Sequence, residues 1–457
     1  MDNARIHPLL REIAAVFQNY GRDLYLVGGA VRDLCRGEKP QDWDLATNAP
    51  PEEVMTMFRR VIPTGIRHGT VTVHYKGQAV EVTTFRTESE YRDGRRPGKV
   101  EFAATIGEDL SRRDFTMNAI ALRLPEGSPV DPFGGAADIK KRLIRCVGDP
   151  NERFSEDGLR PLRAVRFAAT LGFSLDTAAL DAVRPALTIT AKVSPERIRD
   201  ELDKILGAGA GSGAGRPSTA FRLMERTGLL DLLIPELAAC RGVEQKGYHQ
   251  FDVLDHSLLA CDYASRERYP RQVILAALFH DLGKPATRKA GERGIWTFYQ
   301  HEKESVRLCR KILTRLRYPN AVIDETCHLI GEHMFHYTED WSGAAVRRFI
   351  IRVGEEHLEN LYRLRQADTY AMAGLEPDPA SLLPLIQRVD GALAGNRAFS
   401  LKDLAVSGKD LIEIGVKPGK HMGIILKELF ETVVNDPSMN SREKLLEIAG
   451  KINERYL

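Results

Sequence analysis

At 457 residues the chain is too long for one hydrophobic core and has room for roughly three or four domains of ordinary size. Hydrophobic residues make up 43% and charged residues 28%, a balance typical of soluble globular proteins that excludes a largely disordered chain. The formal net charge of +2 gives no global attraction to nucleic acid, so any contact with RNA must use local basic patches.

Neither a membrane span nor a disulfide framework is indicated. No stretch approaches the ~20 apolar residues of a membrane span, and the first twenty residues lack the apolar core of a signal peptide. The six cysteines form no C-x-x-C pair, which also argues against a zinc knuckle. We expect a cytoplasmic protein with no membrane partner and with reduced, mostly buried thiols.

The first functional signal is a short strand followed by paired glycines. The apolar run from Leu24 to Val27 predicts a buried strand that ends at Gly28 and Gly29, and a helix is expected to begin near Ala30. This order leaves backbone N–H groups uncovered at a helix N-terminus, where they can bind phosphate oxygens.

Two aspartates follow in a second predicted strand. Asp42 and Asp44 are two residues apart, so both carboxylates project from one face of a pleated strand. Such a pair can hold a divalent metal beside a triphosphate. An isolated Asp-x-Asp is more often a turn with solvated aspartates, but the glycine pair upstream favours the metal site.

Alternating apolar and polar residues over 69–86 predict a β-hairpin. Glu81 lies in its second strand, where an acidic residue is unfavourable unless it faces a cleft or a metal. We interpret it as a third carboxylate near Asp42 and Asp44. The alternative is an edge-strand glutamate that faces water.

A polar stretch and a predicted helix come next. Residues 87–100 contain glycine and proline, which predicts a mobile loop whose Arg95 and Arg96 either reach a phosphate or are solvated. Residues 111–122 turn from polar to apolar, which predicts a helix with Arg112 and Arg113 near its beginning. An arginine there binds phosphate or ribose, or forms an ion pair with Asp114 or Asp109.

From about residue 153 the pattern changes to long helices, after a turn cluster, DPFGG, that closes a first domain near residue 147. Four charged residues follow one another at spacings of three, so that neighbouring members share a helical face: Asp157, Arg160, Arg163 and Arg166. Arginines this close repel each other unless an anion or a carboxylate joins them. Residues 207–215 alternate Gly, Ala and Ser and predict a flexible linker or loop.

Histidines become dense between residues 247 and 373. His256 lies in one predicted helix, His280 and Asp281 end an apolar helix, and Asp368 lies in a later one; His301 and His333 come between. Imidazole and carboxylate both suit divalent transition metals, so these residues predict a metal site on a helical bundle. After residue 400 two amphipathic helices are predicted, whose lysines either meet an RNA backbone or are simply part of packed helices.

The motifs GGAVRD, DWD, RRDFTMNA, DPFGG and EDGLRPLRAVRFA, in this order, resemble the class II tRNA nucleotidyltransferase and poly(A) polymerase family over about residues 20–235. Residues 247–373 separately resemble an HD domain. The resemblance implies an α+β fold: a polymerase-beta-like head with a mixed sheet and helices, then an elongated all-helical neck, body, HD domain and tail. It implies the boundaries 1–147 for the head, 148–240 for the neck and body, 241–375 for the HD domain and 376–457 for the tail.

The resemblance also implies substrates and residue roles. CTP and ATP would be the substrates, the tRNA 3′ end the primer and Mg²⁺ the cofactor of the head, with a divalent transition metal in the HD domain. The implied residues are the catalytic and Mg²⁺-binding pair Asp42 and Asp44; the third carboxylate Glu81; the nucleotide-contacting Gly28, Gly29, Arg32 and Arg113; the base-reading pair Asp157 and Arg160, with Arg163 and Arg166 beside them; and the HD metal set His256, His280, Asp281 and Asp368. Gly158, inside the base-reading turn, departs slightly from the family pattern and is expected to loosen the helix start.

The base-reading assignment has a physical basis. Cytosine and adenine each present a ring-nitrogen acceptor beside an exocyclic amine donor, whereas uracil and guanine present a carbonyl beside a ring N–H. Arg160 can only donate hydrogen bonds and an ionised Asp157 can only accept them. The pair therefore fits C and A, and each unsatisfied polar group facing U or G costs about 1–3 kcal/mol.

Two activities from different classes follow. The stretch YRDGRRP corresponds to the flexible loop that CC-adding relatives lack, so addition of CCA is favoured over A-only addition or poly(A) synthesis. The HD resemblance implies a metal-dependent phosphohydrolase in the same chain.

Overall fold

The computed structural model describes residues 6–40, 42–92, 96–210, 215–245, 250–291, 296–395 and 400–455. They form two compact units, which are described separately below. The first unit comprises Met1–Ala239, Ser265–Arg268 and Ile312–Tyr318, and the second comprises Cys240–Ala264, Tyr269–Lys311 and Pro319–Leu457. Among the described helices, none combines the length and the apolar character that crossing a membrane requires.

A mixed sheet of seven strands lies in the first unit, beside a separate two-stranded ribbon, β6 and β7. The strands are β1 (Leu24–Val27), β2 (Asp44–Thr47), β3 (Val61–Gly65), β4 (Thr70–Tyr75), β5 (Gln78–Thr84), β6 (Arg86–Arg92), β7 (Arg96–Phe102), β8 (Ala121–Arg123) and β9 (Ser128–Val130). The sheet order is β3-β4-β5-β2-β1-β8-β9, and only β2 and β5 pair in parallel. All four residues of β1 are buried, which explains its unbroken apolar run.

The rest of the first unit is mainly helical. They are α1 (Pro8–Asn19), α2 (Gly29–Arg36), α3 (Pro51–Met57), α4 (Ile106–Ser111), α5 (Gly135–Lys141), α6 (Pro150–Glu156), α7 (Arg160–Leu171), α8 (Thr177–Val183), α9 (Leu187–Thr190), α10 (Pro195–Leu206), α11 (Pro217–Thr227), α12 (Leu229–Leu233) and α13 (Pro235–Ala238); two short parallel strands, β10 (Leu143–Ile144) and β11 (Ser174–Leu175), join this region. The buried face of α1 consists of Leu10, Ile13, Ala14 and Phe17, at the spacing of an amphipathic helix.

The second unit is almost entirely helical. Its elements are α14 (Val253–Arg266), α15 (Arg271–Phe279), α16 (Lys284–Thr287), β12 (Lys289–Ala290), β13 (Trp296–Thr297), α17 (His301–Arg315), α18 (Asn320–Glu332), α19 (Gly343–Val353), α20 (Leu358–Ala373), α21 (Leu383–Gly395), α22 (Gly408–Glu413), α23 (Lys420–Asn435) and α24 (Arg442–Glu454). Every residue of α15 from Val273 to Phe279 is buried, as expected of a helix that is apolar all round.

Several predicted elements are confirmed. The strand at Leu24–Val27, the helix after the glycine pair and the hairpin turning at Lys76 and Gly77 all form, the last as β4 and β5. The two amphipathic helices predicted for the tail are α23 and α24. All six cysteines are free thiols, and five of them are buried.

Two local predictions are wrong, and the structure describes a third segment only in part. Residues 111–122 form no helix: α4 ends at Ser111, a 3-10 turn covers Thr116–Asn118 and β8 follows, because Phe115 and its neighbours are drawn into the core. The predicted loop over 87–100 is largely the β6–β7 ribbon; Arg95 and the side chain of Arg96 lie outside the described residues. The predicted linker contains a 3-10 turn at Ala208–Ala210, and residues 211–214 are not described.

Candidate active site and metal cluster

A strongly charged cavity of about 700 Å³ lies in the first unit. Nine arginine or lysine side chains and four aspartates line it, together with glycines, Asn118 and Phe167. Its charged residues are Arg32, Arg86, Arg112, Arg113, Arg160, Arg163, Arg166, Arg197, Lys204, Asp42, Asp44, Asp114 and Asp157. Such an excess of cations suits a polyanion of the size of a nucleoside triphosphate.

The glycine turn and the aspartates meet at this cavity. Gly28 has φ +71°, a conformation that side chains with a Cβ rarely adopt, and an added Cβ would lie 3.1 Å from Arg113 Nη1. Asp44 begins β2, whereas Asp42 precedes the strand, so the two carboxylates share the cavity rather than one strand face. Partial desolvation raises the pKa of Asp44; Arg113 opposes the rise and the neighbouring Asp42 adds to it. A bound cation would relieve this unfavourable charge.

Glu81 lies beside the aspartates in the sheet register. β2 and β5 run parallel with Asp44 paired to Glu81, which places both residues on the same side of neighbouring strands. The Glu81 side chain is exposed and is not among the residues lining the cavity. Its role as a third carboxylate therefore remains a prediction.

One buried carboxylate holds both arginines of the RRDFT motif. Arg112 donates to Asp109 Oδ1 through Nε at 3.0 Å and Nη2 at 2.7 Å, and Arg113 Nη2 donates to Oδ2 at 3.2 Å. Burial alone would raise the pKa of Asp109, but these arginines hold it below its usual value. The ion-pair alternative weighed from the sequence is therefore present, and both guanidinium groups still line the cavity.

Carboxylates also form ion pairs with the arginines of α7. These pairs offset the repulsion between arginines that lie so close together. Arg163 Nη2 lies 2.6 Å from Asp114 Oδ2, and Arg166 forms an ion pair with the buried Glu201 on α10. Burial alone would raise the pKa of Asp114, but Arg163 and a hydrogen bond from Asn118 lower it to about 2. The Arg166 guanidinium carbon lies 3.7 Å from the centroid of the Phe167 ring, a cation–π contact.

The residues predicted to read the base lie at the junction of α6 and α7. Asp157 Oδ1 accepts from the Leu159 N–H at 3.0 Å, and Oδ2 accepts from Arg197 Nη2 at 2.7 Å. Arg160 Nη1 donates to the Arg153 carbonyl at 2.9 Å and Nη2 to the Arg112 carbonyl at 3.1 Å. Both side chains line the cavity that holds Asp42 and Asp44.

Gly158 does not loosen this junction, contrary to the expectation from the sequence. An added Cβ would lie 2.6 Å from the Ile189 carbonyl oxygen, and Thr190 Oγ1 donates to the Gly158 carbonyl at 2.9 Å. The junction is instead packed tightly against α9, which only a residue without a Cβ permits.

Sequence reasoning missed several residues of the cavity. Asn118 accepts from Arg32 Nη1 at 3.0 Å through its side chain, Arg197 pairs with Asp157, and Glu201, which is not among the lining residues, pairs with the lining Arg166. A signal existed in the spacing of Arg197 and Glu201, which lie four residues apart on α10 and thus on one helical face.

In the second unit, the predicted metal ligands meet in a buried cluster. His256 Nε2 lies 3.1 Å from His280 Nε2, 3.1 Å from Asp368 Oδ1 and 3.5 Å from Asp281 Oδ2. The residues come from α14, the end of α15 and α20. His301, at the start of α17, and His333, at the end of α18, join the cluster, although their spacing in the sequence did not single them out as ligands.

The two carboxylates of the cluster stabilise positive charge on the groups around them. Burial alone would lower the pKa of His280, but the charges of Asp281 and Asp368 outweigh it and raise the pKa to about 10. Burial and the nearby His280 lower the pKa of His333 to about 3. Both carboxylates have pKa values well below the usual range despite their burial, because of their histidine neighbours. A divalent cation can supply the same positive charge.

Three protein-family models match the chain: "Poly A polymerase head domain" over residues 24–145, "Probable RNA and SrmB- binding site of polymerase A" over 172–241 and "tRNA nucleotidyltransferase domain 2 putative" over 291–449. The CCA-adding enzyme of Geobacillus stearothermophilus is 35% identical over 443 residues, covering 96% of each chain. That of Limosilactobacillus reuteri strain DSM 20016 is 48% identical over 452 residues, covering 98% of this chain and 96% of the relative.

The chain belongs to the CCA-adding enzyme family. A crystal structure of the Bacillus stearothermophilus CCA-adding enzyme in complex with CTP superimposes with a TM-score of 0.73, at 32% identity and with 99% of each chain covered. The family and the fold class that the motifs indicated are thereby confirmed, with the mixed-sheet head and a mainly helical remainder. The HD resemblance stays a prediction, because none of these comparisons addresses it.

Substitution of Gly158 by alanine tests the packing of the junction. The added Cβ must displace the backbone of α9, so we expect a loss of about 1–3 kcal/mol in the free energy of unfolding and slower nucleotide addition, because Asp157 and Arg160 flank the site. Urea denaturation and steady-state kinetics measure both. Gly107→Ala is the matched control, since its Cβ would meet only Thr105 Oγ1 at 3.9 Å. Equal stability and rate in both variants would contradict the tight junction.

A second prediction concerns the pH dependence of stability. The pKa of Asp114 is about 2 in the folded chain and about 3.9 when unfolded. The contribution of ionised Asp114 to the free energy of unfolding is therefore complete above about pH 4 and is lost as the pH falls from 4 towards 2. We expect Asp114→Asn to lower the unfolding free energy by about 2 kcal/mol at pH 6, and by progressively less below pH 4. Denaturation at several pH values, with the exposed Asp181→Asn as control, checks this; a pH-independent difference would refute it.

Proposed function

We propose that this chain adds the 3′-terminal CCA to tRNA from CTP and ATP without a nucleic-acid template. The observation that carries the proposal is that Asp157 and Arg160 line the same cavity as Asp42 and Asp44. A donor and an acceptor able to recognise C and A therefore lie within one cavity with a carboxylate pair able to bind metal. The CCA-adding relatives and the CTP complex described above support the same activity.

In this proposal Asp42 and Asp44 hold Mg²⁺. Their oxygen donors suit this hard cation, and the raised pKa of Asp44 indicates a carboxylate that gains from a nearby positive charge. When bound, the ions lower the pKa of the primer hydroxyl and neutralise the departing pyrophosphate. The N–H groups of the turn at Gly28 and Gly29 bind phosphate oxygens.

The arginines of the cavity bind the triphosphate and ribose. Arg32 and Arg113 lie at the glycine turn, while Arg163 and Arg166 lie on α7 and pair with Asp114 and Glu201. Arg160 donates to the ring-nitrogen acceptor of C or A, and Asp157 accepts from the exocyclic amine. A carboxylate has about four lone-pair positions, so Asp157 can accept from a base while it keeps Arg197.

The domain boundaries and roles in this proposal are those expected from the sequence. Residues 1–147 form the catalytic head, 148–240 the helical neck and body with the base-reading junction, 241–375 an HD domain and 376–457 a tail that contacts tRNA. A cytoplasmic location fits a tRNA substrate.

A second activity is proposed for the histidine cluster of the second unit. In His256, His280, Asp281 and Asp368, each histidine Nε2 lies 3.1–3.5 Å from the other Nε2 and from one oxygen of each aspartate. An ion with bonds of about 2.1 Å places adjacent ligands roughly 3.0–3.4 Å apart, whether octahedral or tetrahedral. The set therefore fits one divalent transition-metal ion, as a metal-dependent phosphohydrolase requires.

Incorporation assays test the first activity. Purified protein is given tRNA ending at the discriminator base, or already bearing CC, with each nucleoside triphosphate singly and combined. We expect C and then A to be added to the first substrate and A alone to the second. Asp42→Asn should abolish both additions and leave phosphate-ester hydrolysis unchanged. If the protein adds only A, and only to the CC-ended tRNA, the proposal of CCA addition is wrong and the protein is an A-adding enzyme.

Asp157→Asn tests base selection in the same assay. Asparagine can donate as well as accept, so it removes the mismatch with the carbonyl of U. We expect discrimination between CTP and UTP, measured as the ratio of kcat/KM, to fall roughly 5- to 150-fold, the equivalent of about 1–3 kcal/mol. The exposed Asp181→Asn serves as control. Unchanged discrimination would remove Asp157 from the base-reading role.

Glu81→Gln tests the third carboxylate. If Glu81 supports the metal held by its strand neighbour Asp44, the variant should add nucleotides at least about tenfold more slowly and require more Mg²⁺ for half-maximal rate. The exposed Glu126→Gln provides the comparison. A Mg²⁺ titration that matches the unmodified enzyme would assign Glu81 to the solvated surface instead.

A further inference from the structure

We propose that Cys309 and Cys327 form an oxidation site, at which hydrogen peroxide converts the two thiols into a disulfide that ties α17 to α18. A thiol reductant reverses the bond by thiol–disulfide exchange. Both cysteines lie in the second unit and are free thiols in the structure. Neither belongs to the charged cavity of the first unit or to the histidine cluster of the second.

Contacts between α17 and α18 place the two cysteines opposite each other. Arg310 Nη1 lies 2.8 Å from Asp324 Oδ1, and a Cβ added to Gly331 would lie 3.7 Å from Val306 Cγ2. A lower position on α17 thus meets a higher position on α18, so the two helices form an antiparallel hairpin. Position 309 falls between the two contacts on α17, and position 327 falls between them on α18.

The two thiols also contact each other directly. Cys309 and Cys327 form a hydrogen bond between their side chains. In addition, Cys327 Sγ donates to the Val306 carbonyl at 3.8 Å, which holds this sulfur against α17. Sulfur atoms already in contact need only approach to the disulfide bond length of about 2.05 Å. The hairpin therefore brings the reacting atoms together before any oxidant is present.

The two sulfur atoms differ in reactivity. The hydrogen bond from Cys309 lowers the pKa of the Cys327 thiol, although burial opposes this effect. The charge of Arg310 lowers the same pKa further, and that of Asp324 raises it. Burial raises the pKa of Cys309 well above its usual value. Because the thiolate is the nucleophile, Cys327 attacks the oxidant and Cys309 then resolves the product.

Burial selects the oxidant. Cys309 is 0% exposed and Cys327 is 3% exposed, so a bulky oxidant is excluded. Hydrogen peroxide is only slightly larger than water and reaches the pair when the hairpin opens locally. Disulfides of proteins in reducing compartments are usually transient and often sense redox conditions. A pair that stays reduced until peroxide arrives fits this pattern.

The reaction consumes one hydrogen peroxide. The Cys327 thiolate forms a bond to one peroxide oxygen, the O–O bond breaks, and the departing hydroxide takes up the proton that Cys327 released. The Cys309 sulfur then forms a bond to the sulfur of the resulting sulfenic acid, the S–O bond breaks, and the second hydroxide takes up the Cys309 proton. Two electrons pass from sulfur to peroxide, and the products are one disulfide and two waters.

Peptide mapping of the unsubstituted full chain tests the bond. The protein is treated with hydrogen peroxide, alkylated without reduction and digested with trypsin, which cleaves after Arg310 and Arg317 and so separates the two cysteines. We expect peptide 308–310 linked to peptide 318–347, in protein that runs as a monomer on a non-reducing gel. Dithiothreitol should remove the link. Absence of this linked peptide from the monomer, whether the thiols stay free or oxidise separately, would overturn the proposal.

Serine variants test the order of attack, since serine keeps a hydrogen-bond donor but forms no disulfide. In Cys309→Ser, dimedone should trap a sulfenic acid on Cys327, whereas in Cys327→Ser the remaining Cys309 should stay a thiol. A dimedone adduct on Cys309 would overturn this order. Circular dichroism verifies that each variant is folded, and if one is not, the mapping of the unsubstituted chain decides.

Cys261→Ser is the matched control. Cys261 is fully buried on α14 of the same unit, and its pKa is raised by burial and by Asp262 rather than by a second thiol. This variant should form the linked peptide to the same extent as the unsubstituted chain. Loss of the link in Cys261→Ser would overturn the assignment of the bond to Cys309 and Cys327.

Hydrogen exchange measures whether the bond ties the two helices. A cross-link between positions 309 and 327 restricts the open states of the segment that it encloses. We expect amide exchange over residues 310–326 to slow at least about tenfold after oxidation, and dithiothreitol to restore it. Cys309→Ser, treated with peroxide in the same way, should show no such slowing. Equal exchange in the linked and reduced proteins would refute the tying of α17 to α18.

Discussion

Buried carboxylates paired with the arginines are the constraint on which the candidate active site depends. Nine cationic side chains around one cavity would repel each other and disperse into solvent if nothing held them. Asp109, Asp114 and Glu201 form ion pairs with several of these side chains, and each acid is at most 8% exposed. Because these acids are buried and already paired, they hold the guanidinium groups in place around the cavity. Binding of a polyanion then requires little further ordering of the arginines.

The same constraint reaches the residues proposed to read the base. Arg160 donates to the carbonyl of Arg112, which itself pairs with Asp109, so the base-reading junction and the RRDFT motif hold each other in place. Arg197 on α10 fixes one oxygen of Asp157. Selection without a template demands this rigidity, because a side chain free to rotate would satisfy U or G as readily as C or A. The close packing of Gly158 on α9 serves the same end.

The sequence predicted the parts of the site that depend on local order. The strand, glycine turn and helix at residues 24–36 were found because each signal is contained in a few neighbouring residues. Predictions failed where distant contacts decide: residues 111–122 look like a helix, but the core takes up Phe115 and pairs it with Cys146 across the fold. Glu201 was missed for the same reason, since its partner Arg166 is 35 residues away. The spacing of residues in the sequence shows which side chains share one face of a helix, but not which other residues that face contacts.

Carboxylates of the two units differ in how their charge is satisfied. In the first unit, Asp114 accepts hydrogen bonds from the side chains of Arg163 and Asn118 and from the backbone N–H of Phe115. These donors stabilise its negative charge. In the second unit, Asp281 is equally buried, yet neither of its oxygens accepts a hydrogen bond of acceptable geometry among the described residues. Burial at this cost is stable only when a cation compensates it. The Lys284 ammonium group lies 2.6 Å from one oxygen of Asp281, and the other oxygen faces His301, so the compensating charge comes from a lysine and the histidine cluster.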